Sequence, residues 1–150
     1  MMKKTLIIGI AFLIVGIFVG NYIYNNNTEK LESTFASGKN YYFIQEGVYS
    51  SKEIMEESIK DINIKVVDFE NNKYYVYLGI TKDYEIAEKI KNLYSKDGYT
   101  LYIKERTITN EEFYNNVSQF DLLIKNAETK DEILTIEEVV LANYEEILKK

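Results

Sequence analysis

The 150-residue chain contains no cysteine, no histidine, no proline and no tryptophan. Without cysteine it cannot form a disulfide, a thiolate nucleophile or a thiolate metal site. Without histidine it lacks the usual general base and the commonest zinc ligand. Carboxylates and lysine are the remaining choices for catalysis. The composition therefore predicts a protein that is not an enzyme and that uses no metal and no cofactor.

Basic residues are also in short supply, and the net charge is −6. Binding of nucleic acid requires a basic surface that neutralises phosphates. The acidic balance therefore argues against a nucleic-acid partner.

A long apolar segment follows Lys3 and Lys4 near the N-terminus and extends over residues 5–24. About 20 apolar residues are enough for a helix to cross a bilayer. We therefore expect a cytoplasmic flank at 1–4, a transmembrane anchor at 5–24 and a polar linker at 25–40, in a single-pass protein of the cell membrane. A cleaved signal peptide is the alternative, but no A-x-A-like cleavage site follows the segment.

Two tyrosine-rich stretches share one pattern. Residues 41–47 read Y-Y-F-I-Q-E-G and residues 73–80 read K-Y-Y-V-Y-L-G-I. Aromatic and β-branched residues favour strands, and a helical pattern follows the glycine of each stretch. We predict strands over 41–46, 64–70, 73–80 and 99–105 and helices over about 51–61 and 83–96. This β-α-β-β-α-β order indicates an α+β, ferredoxin-like sandwich, with two helices on one face of a four-stranded antiparallel sheet.

Several local signals place the ends of these elements. Asn71-Asn72 is typical of a hairpin turn, and Gly98 of a helix end. Asp83 is suited to cap the second helix, and Ser50 with Glu53 forms a capping-box pattern before the first. We expect Gly79 to allow a sharp exit from its strand.

The alternation of side chains along the strands defines two sheet faces. It places apolar residues such as Ile44, Val76 and Leu78 beneath the two helices. The opposite face, here called the aromatic face, carries Phe43, Gln45, Tyr75, Tyr77 and Tyr102. Such a surface is more aromatic than solvation of a sheet requires, which favours a binding role. Two alternatives remain open: the C-terminal helices cover this face, or the tyrosines pair across strands only to stabilise the sheet.

Over residues 41–106 the chain resembles a SPOR domain, the peptidoglycan-binding module of bacterial division and sporulation proteins. Y-F-I-Q-E-G at 42–47 matches the family's aromatic-x-V-Q-x-G opening, and Y-Y-V-Y-L-G at 74–79 matches its Y-R-V-x-V-G repeat. Tyr75 stands where the family often has arginine, and Glu46 where it has a small apolar residue. The resemblance implies binding of glycan strands, preferentially those stripped of stem peptides, on the aromatic face around Gln45.

Residues 107–150 form a tail with two amphipathic patterns, which predict a helical hairpin. Capping-box patterns at Thr109 with Glu112 and at Thr135 with Glu138 mark the expected starts of its helices. The apolar stripes must bury against each other, on the domain or on a partner protein. The adjacent glutamates are expected to be solvated; they are Glu111 with Glu112, Glu137 with Glu138, and Glu145 with Glu146.

These observations lead to two hypotheses. The first is non-catalytic binding of peptidoglycan glycan strands by a membrane-anchored, extracytoplasmic domain, with the five residues of the aromatic face as contacts. The second is an adaptor that binds another envelope protein through residues 107–150. A wall hydrolase is disfavoured, because no carboxylate pair is placed in an evident cleft. Burial of the aromatic face beneath the tail would remove the sugar platform and favour the adaptor.

Overall fold

The computed structural model describes residues 38–150. The predicted flank at 1–4, the anchor at 5–24 and most of the linker at 25–40 lie outside these residues. In chain order the elements are β1 (Lys39–Tyr49), α1 (Lys52–Ser58), β2 (Val66–Glu70), β3 (Lys73–Thr81), α2 (Tyr84–Ser95), β4 (Tyr102–Ile108), α3 (Glu111–Asn126) and α4 (Lys130–Leu148). Within residues 38–150, none of the helices has the length and apolar character needed to cross a bilayer.

The fold is α+β, with one four-stranded antiparallel sheet in the order β2-β3-β1-β4. The predicted β-α-β-β-α-β order is confirmed. The turn between β2 and β3 is made by Asn71 and Asn72 at φ values of 51° and 60°. Both residues have the positive φ that a two-residue hairpin turn requires, and asparagine tolerates it well.

The helix ends follow the sequence signals only in part. Asp83 caps α2, accepting hydrogen bonds from the backbone N–H groups of Glu85 and Ile86, and Gly98 has the expected positive φ of 91°. Three predicted caps are wrong, because another residue that favours capping has the extended backbone that a cap needs. The observed caps are Ser51 rather than Ser50, Asn110 rather than Thr109, and Thr129 rather than Thr135.

Thr129 forms a complete capping box with Glu132, so α4 begins more than one turn earlier than predicted. Thr135 lies inside the helix, where its hydroxyl donates to the carbonyl of Asp131. In this part of the chain Thr129 and Thr135 are each followed three residues later by glutamate, and the pattern alone does not distinguish them.

The β1–β3 pairing contains irregularities that change which residues face each other. Ile44 lies opposite Gly79 and Gln45 lies opposite Tyr77, so Leu78 is an extra residue in β3. A bulge of this kind shifts the alternation of side chains along a strand. The sequence predicted that β3 leaves the sheet at Gly79. Instead, the strand continues to Thr81.

Gly79 lies at a point of close packing. A Cβ placed there would come within 3.2 Å of the side chains of Glu137, Ile44 and Ile90. The missing side chain thus lets α2, α4 and β1 approach the same point of β3.

Helices pack on both faces of the sheet. α1 and α2 bury Met55, Ile86 and Ile90 on one face. The C-terminal hairpin, formed by α3 and α4, buries its apolar stripes against the other face and against α2. The buried side chains of the hairpin are Phe113, Val117, Phe120, Ile124, Ile133, Ile136, Val140, Leu141 and Tyr144. The prediction that the aromatic face is open is therefore wrong for the part that carries Phe43 and Tyr77, because the tail follows β4 after a two-residue connection and folds back over the sheet.

Candidate functional site

The five residues predicted for glycan binding differ strongly in exposure. Phe43 is 0% exposed, Tyr77 1% and Gln45 8%, whereas Tyr102 is 53% exposed. Tyr75 is half-buried. Phe43 and Tyr77 therefore cannot touch a ligand in this structure, and Gln45 is accessible only at its margin.

Aromatic side chains of the hairpin cover the buried part of the face. The ring of Tyr144, from α4, packs edge-on against Phe43 with centroids 5.2 Å apart, and Phe43 packs in the same way against Tyr77 at 4.8 Å. Phe113, from α3, lies 5.3 Å from Tyr41. Aromatic pairs of this geometry add to the free energy gained from area burial alone.

The side chain of Arg106 extends across the aromatic face and links the two outer strands of the sheet. It belongs to β4, whereas its carboxylate partners Asp68 and Glu70 belong to β2, the opposite outer strand. One Nη lies 2.8 Å from Asp68 and also donates to the Tyr77 hydroxyl at 2.8 Å; the other lies 2.8 Å from Glu70. The guanidinium thus links the two outer strands across β3 and β1.

The guanidinium also lies over two rings that the bridge helps to bury. Its central carbon is 5.5 Å from the ring centroid of Phe43 and 5.7 Å from that of Tyr77, distances typical of cation–π contacts. Asp68 accepts a further hydrogen bond from the Tyr144 hydroxyl at 3.1 Å. Burial raises the pKa of both Tyr77 and Tyr144. Arg106 thus ties β2, β3, β4 and α4 into one structural cluster.

Sequence reasoning missed Arg106. The alternation from Tyr102 places Lys104 and Arg106 on the same face, so its position was available from the pattern. Its partners Asp68 and Glu70 could not be predicted. A side-chain contact between β4 and β2, across two intervening strands, depends on the shape of the assembled sheet.

Part of the aromatic face remains accessible beyond the hairpin. Gln45 lies between Tyr77 on β3 and Tyr102 on β4, and Val48 lies opposite Tyr75. Val48 is 42% exposed. The side chains of Val48, Tyr75 and Tyr102, together with the small exposed part of Gln45, therefore form a small surface across three strands, here called the residual patch. Lys104 borders it, with its ammonium 5.8 Å from the ring centroid of Tyr102.

The predicted solvation of the paired glutamates is wrong for one member. Glu137 is 0% exposed, whereas its neighbour Glu138 is exposed. Asp121, from α3, is also buried, at 7% exposure. In residues 38–150 there is no group of three or more histidine, cysteine, aspartate or glutamate side chains arranged to hold a metal ion.

No protein-family model, no curated protein and no solved structure matches the chain. The resemblance to a SPOR domain therefore remains a prediction that rests on the two motifs at 42–47 and 74–79.

Proposed function

We propose that the protein is a non-catalytic binding module of the bacterial cell envelope, which contacts peptidoglycan glycan strands through the residual patch. The observation that carries this proposal is that Tyr75 and Tyr102, two of the five predicted contacts, lie on the accessible part of the aromatic face, with a small part of Gln45 exposed beside them. A membrane anchor at 5–24 would hold the domain beside the wall.

The chemistry of the residual patch suits a saccharide. The C–H faces of sugar rings stack on aromatic rings, and a phenol adds a polar tip to an apolar body. The Gln45 amide can both donate and accept hydrogen bonds, as recognition of hydroxyl and N-acetyl groups requires. No charge complementarity is needed for a neutral glycan, so the net charge of −6 is compatible with it.

Co-sedimentation of residues 38–150 with purified sacculi tests the proposal. Amidase-treated sacculi, which carry denuded glycan, should retain more protein than untreated ones. Loss of one stacked ring costs on the order of 1 kcal/mol, so Tyr102→Ala should weaken binding about fivefold. Tyr84→Ala is the matched control, because Tyr84 is also 53% exposed but lies on α2. Equal binding by the Tyr102 and Tyr84 variants would exclude the residual patch.

An adaptor role is the second candidate, and burial of Phe43 and Tyr77 favours it. The apolar stripes of the hairpin cannot serve this role, because they are used in intramolecular packing. An adaptor would have to use the outer surface of the hairpin, where Leu122 is 61% exposed. If the domain fails to bind sacculi, and a photo-crosslinker at position 122 yields one dominant envelope protein in cells, the adaptor becomes the better account.

A further inference from the structure

The free end of β3 is held by two buried carboxylates, one from each helix of the hairpin. The ladder between β2 and β3 ends at the Val66–Tyr77 pair, so within residues 38–150 no strand continues beside Ile80 on that side. Glu137 of α4 occupies this position, accepting a hydrogen bond from the Ile80 N–H at 3.0 Å. The two helices thus supply acceptors that a longer β2 would have provided.

Asp121 of α3 serves the next residues of the same strand end. It accepts from the Thr81 hydroxyl at 2.6 Å and from the Lys82 N–H at 3.0 Å. Asp121 therefore has a partner for each oxygen. Glu137 does not: its Oε1 is buried and has no hydrogen-bond partner among residues 38–150.

The surroundings of Glu137 disfavour its ionised form. The carboxyl lies at the Ile80 N–H and beside Gly79 of β3, at the point that the aliphatic side chains of Ile44 and Ile90 also approach. The titratable groups that face it are the carboxylate of Asp121, from α3, and the phenol of Tyr94, from α2. Neither supplies positive charge. A buried carboxylate with one N–H donor and no cation is strongly destabilised relative to the protonated acid.

We propose that Glu137 is a proton-dependent latch, which holds the N-terminal half of α4 against the free end of β3 when it is protonated and releases it when it is ionised. Release would leave the Ile80 N–H at an uncovered sheet edge while β1 and β4 stay paired. The proposal goes beyond glycan binding and is independent of it.

The direction of the pH dependence follows from linkage. Burial raises the pKa of Glu137 well above the ordinary glutamate value of 4.5. The folded state then binds the proton more tightly than the open state, so the stabilisation is complete below the ordinary pKa. It is lost progressively as the pH rises towards the raised pKa of the closed state. The latch is therefore closed in acid and opens in alkali.

Hydrogen exchange of the Ile80 amide tests the latch, because that amide is the donor to Glu137. The wild type is compared with Glu137→Gln, which keeps the shape and the acceptor of the protonated acid but cannot ionise. At pH 5 the two proteins should exchange this amide at similar rates. Each unit of pKa elevation corresponds to about a tenfold change in opening, so at pH 9 the wild type should exchange at least about tenfold faster. The central amides of β1 should exchange alike in both proteins.

Two results would overturn the latch. One is a wild-type to variant ratio at Ile80 that does not change with pH. The other is an equal acceleration of the β1 amides, which indicates global unfolding rather than local opening. If Glu137→Gln does not fold, the carboxyl carbon of Glu137 is titrated by NMR in the wild type, with the exposed neighbour Glu138 as control. Titration of Glu137 at the ordinary glutamate pKa would also refute the latch. Neither measurement involves a glycan, so failure of the latch and failure of the proposed function are distinguishable.

Discussion

Three buried tyrosines differ in the hydrogen bonding of their hydroxyl groups, and we therefore expect them to contribute differently to the free energy of unfolding. The Tyr77 hydroxyl accepts from Arg106, and the Tyr144 hydroxyl donates to Asp68. The hydroxyl of Tyr41, equally buried, has no hydrogen-bond partner among residues 38–150. A buried polar group without a partner costs free energy, whereas a satisfied one contributes.

Single Tyr→Phe substitutions should separate these cases. Tyr41→Phe should leave the free energy of unfolding unchanged or raise it by up to about 1 kcal/mol, because it removes an unsatisfied hydroxyl. Tyr144→Phe should lower it by about 1 kcal/mol, because Asp68 loses a donor. Urea unfolding at pH 7 measures both. A loss for Tyr41→Phe as large as that for Tyr144→Phe would contradict the assignment.

The sequence predicted the chemical type of the aromatic face but not its accessibility. Period-two alternation correctly grouped Phe43, Gln45, Tyr75, Tyr77 and Tyr102 along their strands. Whether such a face binds a ligand or a helix of the same chain depends on tertiary packing, which a strand pattern does not contain. The same limit explains Glu137: adjacent glutamates look alike in sequence, and only the position of α4 buries one of them.

The N-terminus of α2 is fixed by a single aspartate that also contacts α3. Asp83 caps its N-terminus and also pairs with Lys125 near the end of α3, so one carboxylate starts one helix and fixes another. The hydrogen bond from Lys125, together with those from the N–H groups of Glu85 and Ile86, lowers the pKa of Asp83. The ammonium of Lys89 adds a second link by donating to the carbonyls of Ile124 and Ala127.

Two substitutions at position 83 separate capping from ion pairing. Asp83→Ala should lower the free energy of unfolding by about 1 kcal/mol, because the cap is lost. Asp83→Asn keeps a capping acceptor and should cost only a few tenths of a kcal/mol, roughly the contribution of a partly exposed ion pair.

The pH dependence provides the check on these variants. Because the pKa of Asp83 is depressed in the folded state, its stabilisation is present above the ordinary aspartate pKa and is lost as the pH falls through the folded value. The difference between wild type and Asp83→Asn in thermal denaturation should therefore vanish in acid. A difference that persists at low pH would exclude the ion pair as its cause.

The existence and order of the elements were predictable because each strand and helix carries a strong periodic pattern. Their ends were predictable where one residue has no competitor, as with Asp83, Gly98 and Asn71-Asn72. They were not predictable where two equivalent signals lie close together, as with Thr129 and Thr135. The bulge at Leu78 also escaped the pattern, because an extra residue in a strand changes the pairing without changing the composition.

For the molecule as a whole, the hairpin is part of the core rather than an appendage. It buries apolar side chains of α3 and α4 against the sheet, against α2 and against each other. A fully buried aliphatic or aromatic side chain contributes about 1.5–3 kcal/mol, so the set contributes roughly 13–27 kcal/mol before the entropy cost of ordering it. That is at least as large as the entire net stability of an ordinary domain.

Removal of the hairpin should therefore abolish folding. A fragment of residues 38–106 would expose Phe43, Tyr77 and Ile80 and would leave the free end of β3 without its acceptors. We expect it to lack amide chemical-shift dispersion and a cooperative thermal transition, whereas residues 38–150 should show both. A fragment that unfolds cooperatively would show that the predicted unit at 41–106 is self-sufficient.

The dependence of the sheet on α4 also has a consequence for biosynthesis. Chains fold from the N-terminus as they emerge from the ribosome. Here all four strands are synthesised before α4. Their buried face therefore lacks part of its helical cover until synthesis has passed residue 148. A nascent chain arrested before that point would present tyrosine-rich strands to chaperones and proteases, and quality control would favour products that carry an intact last helix.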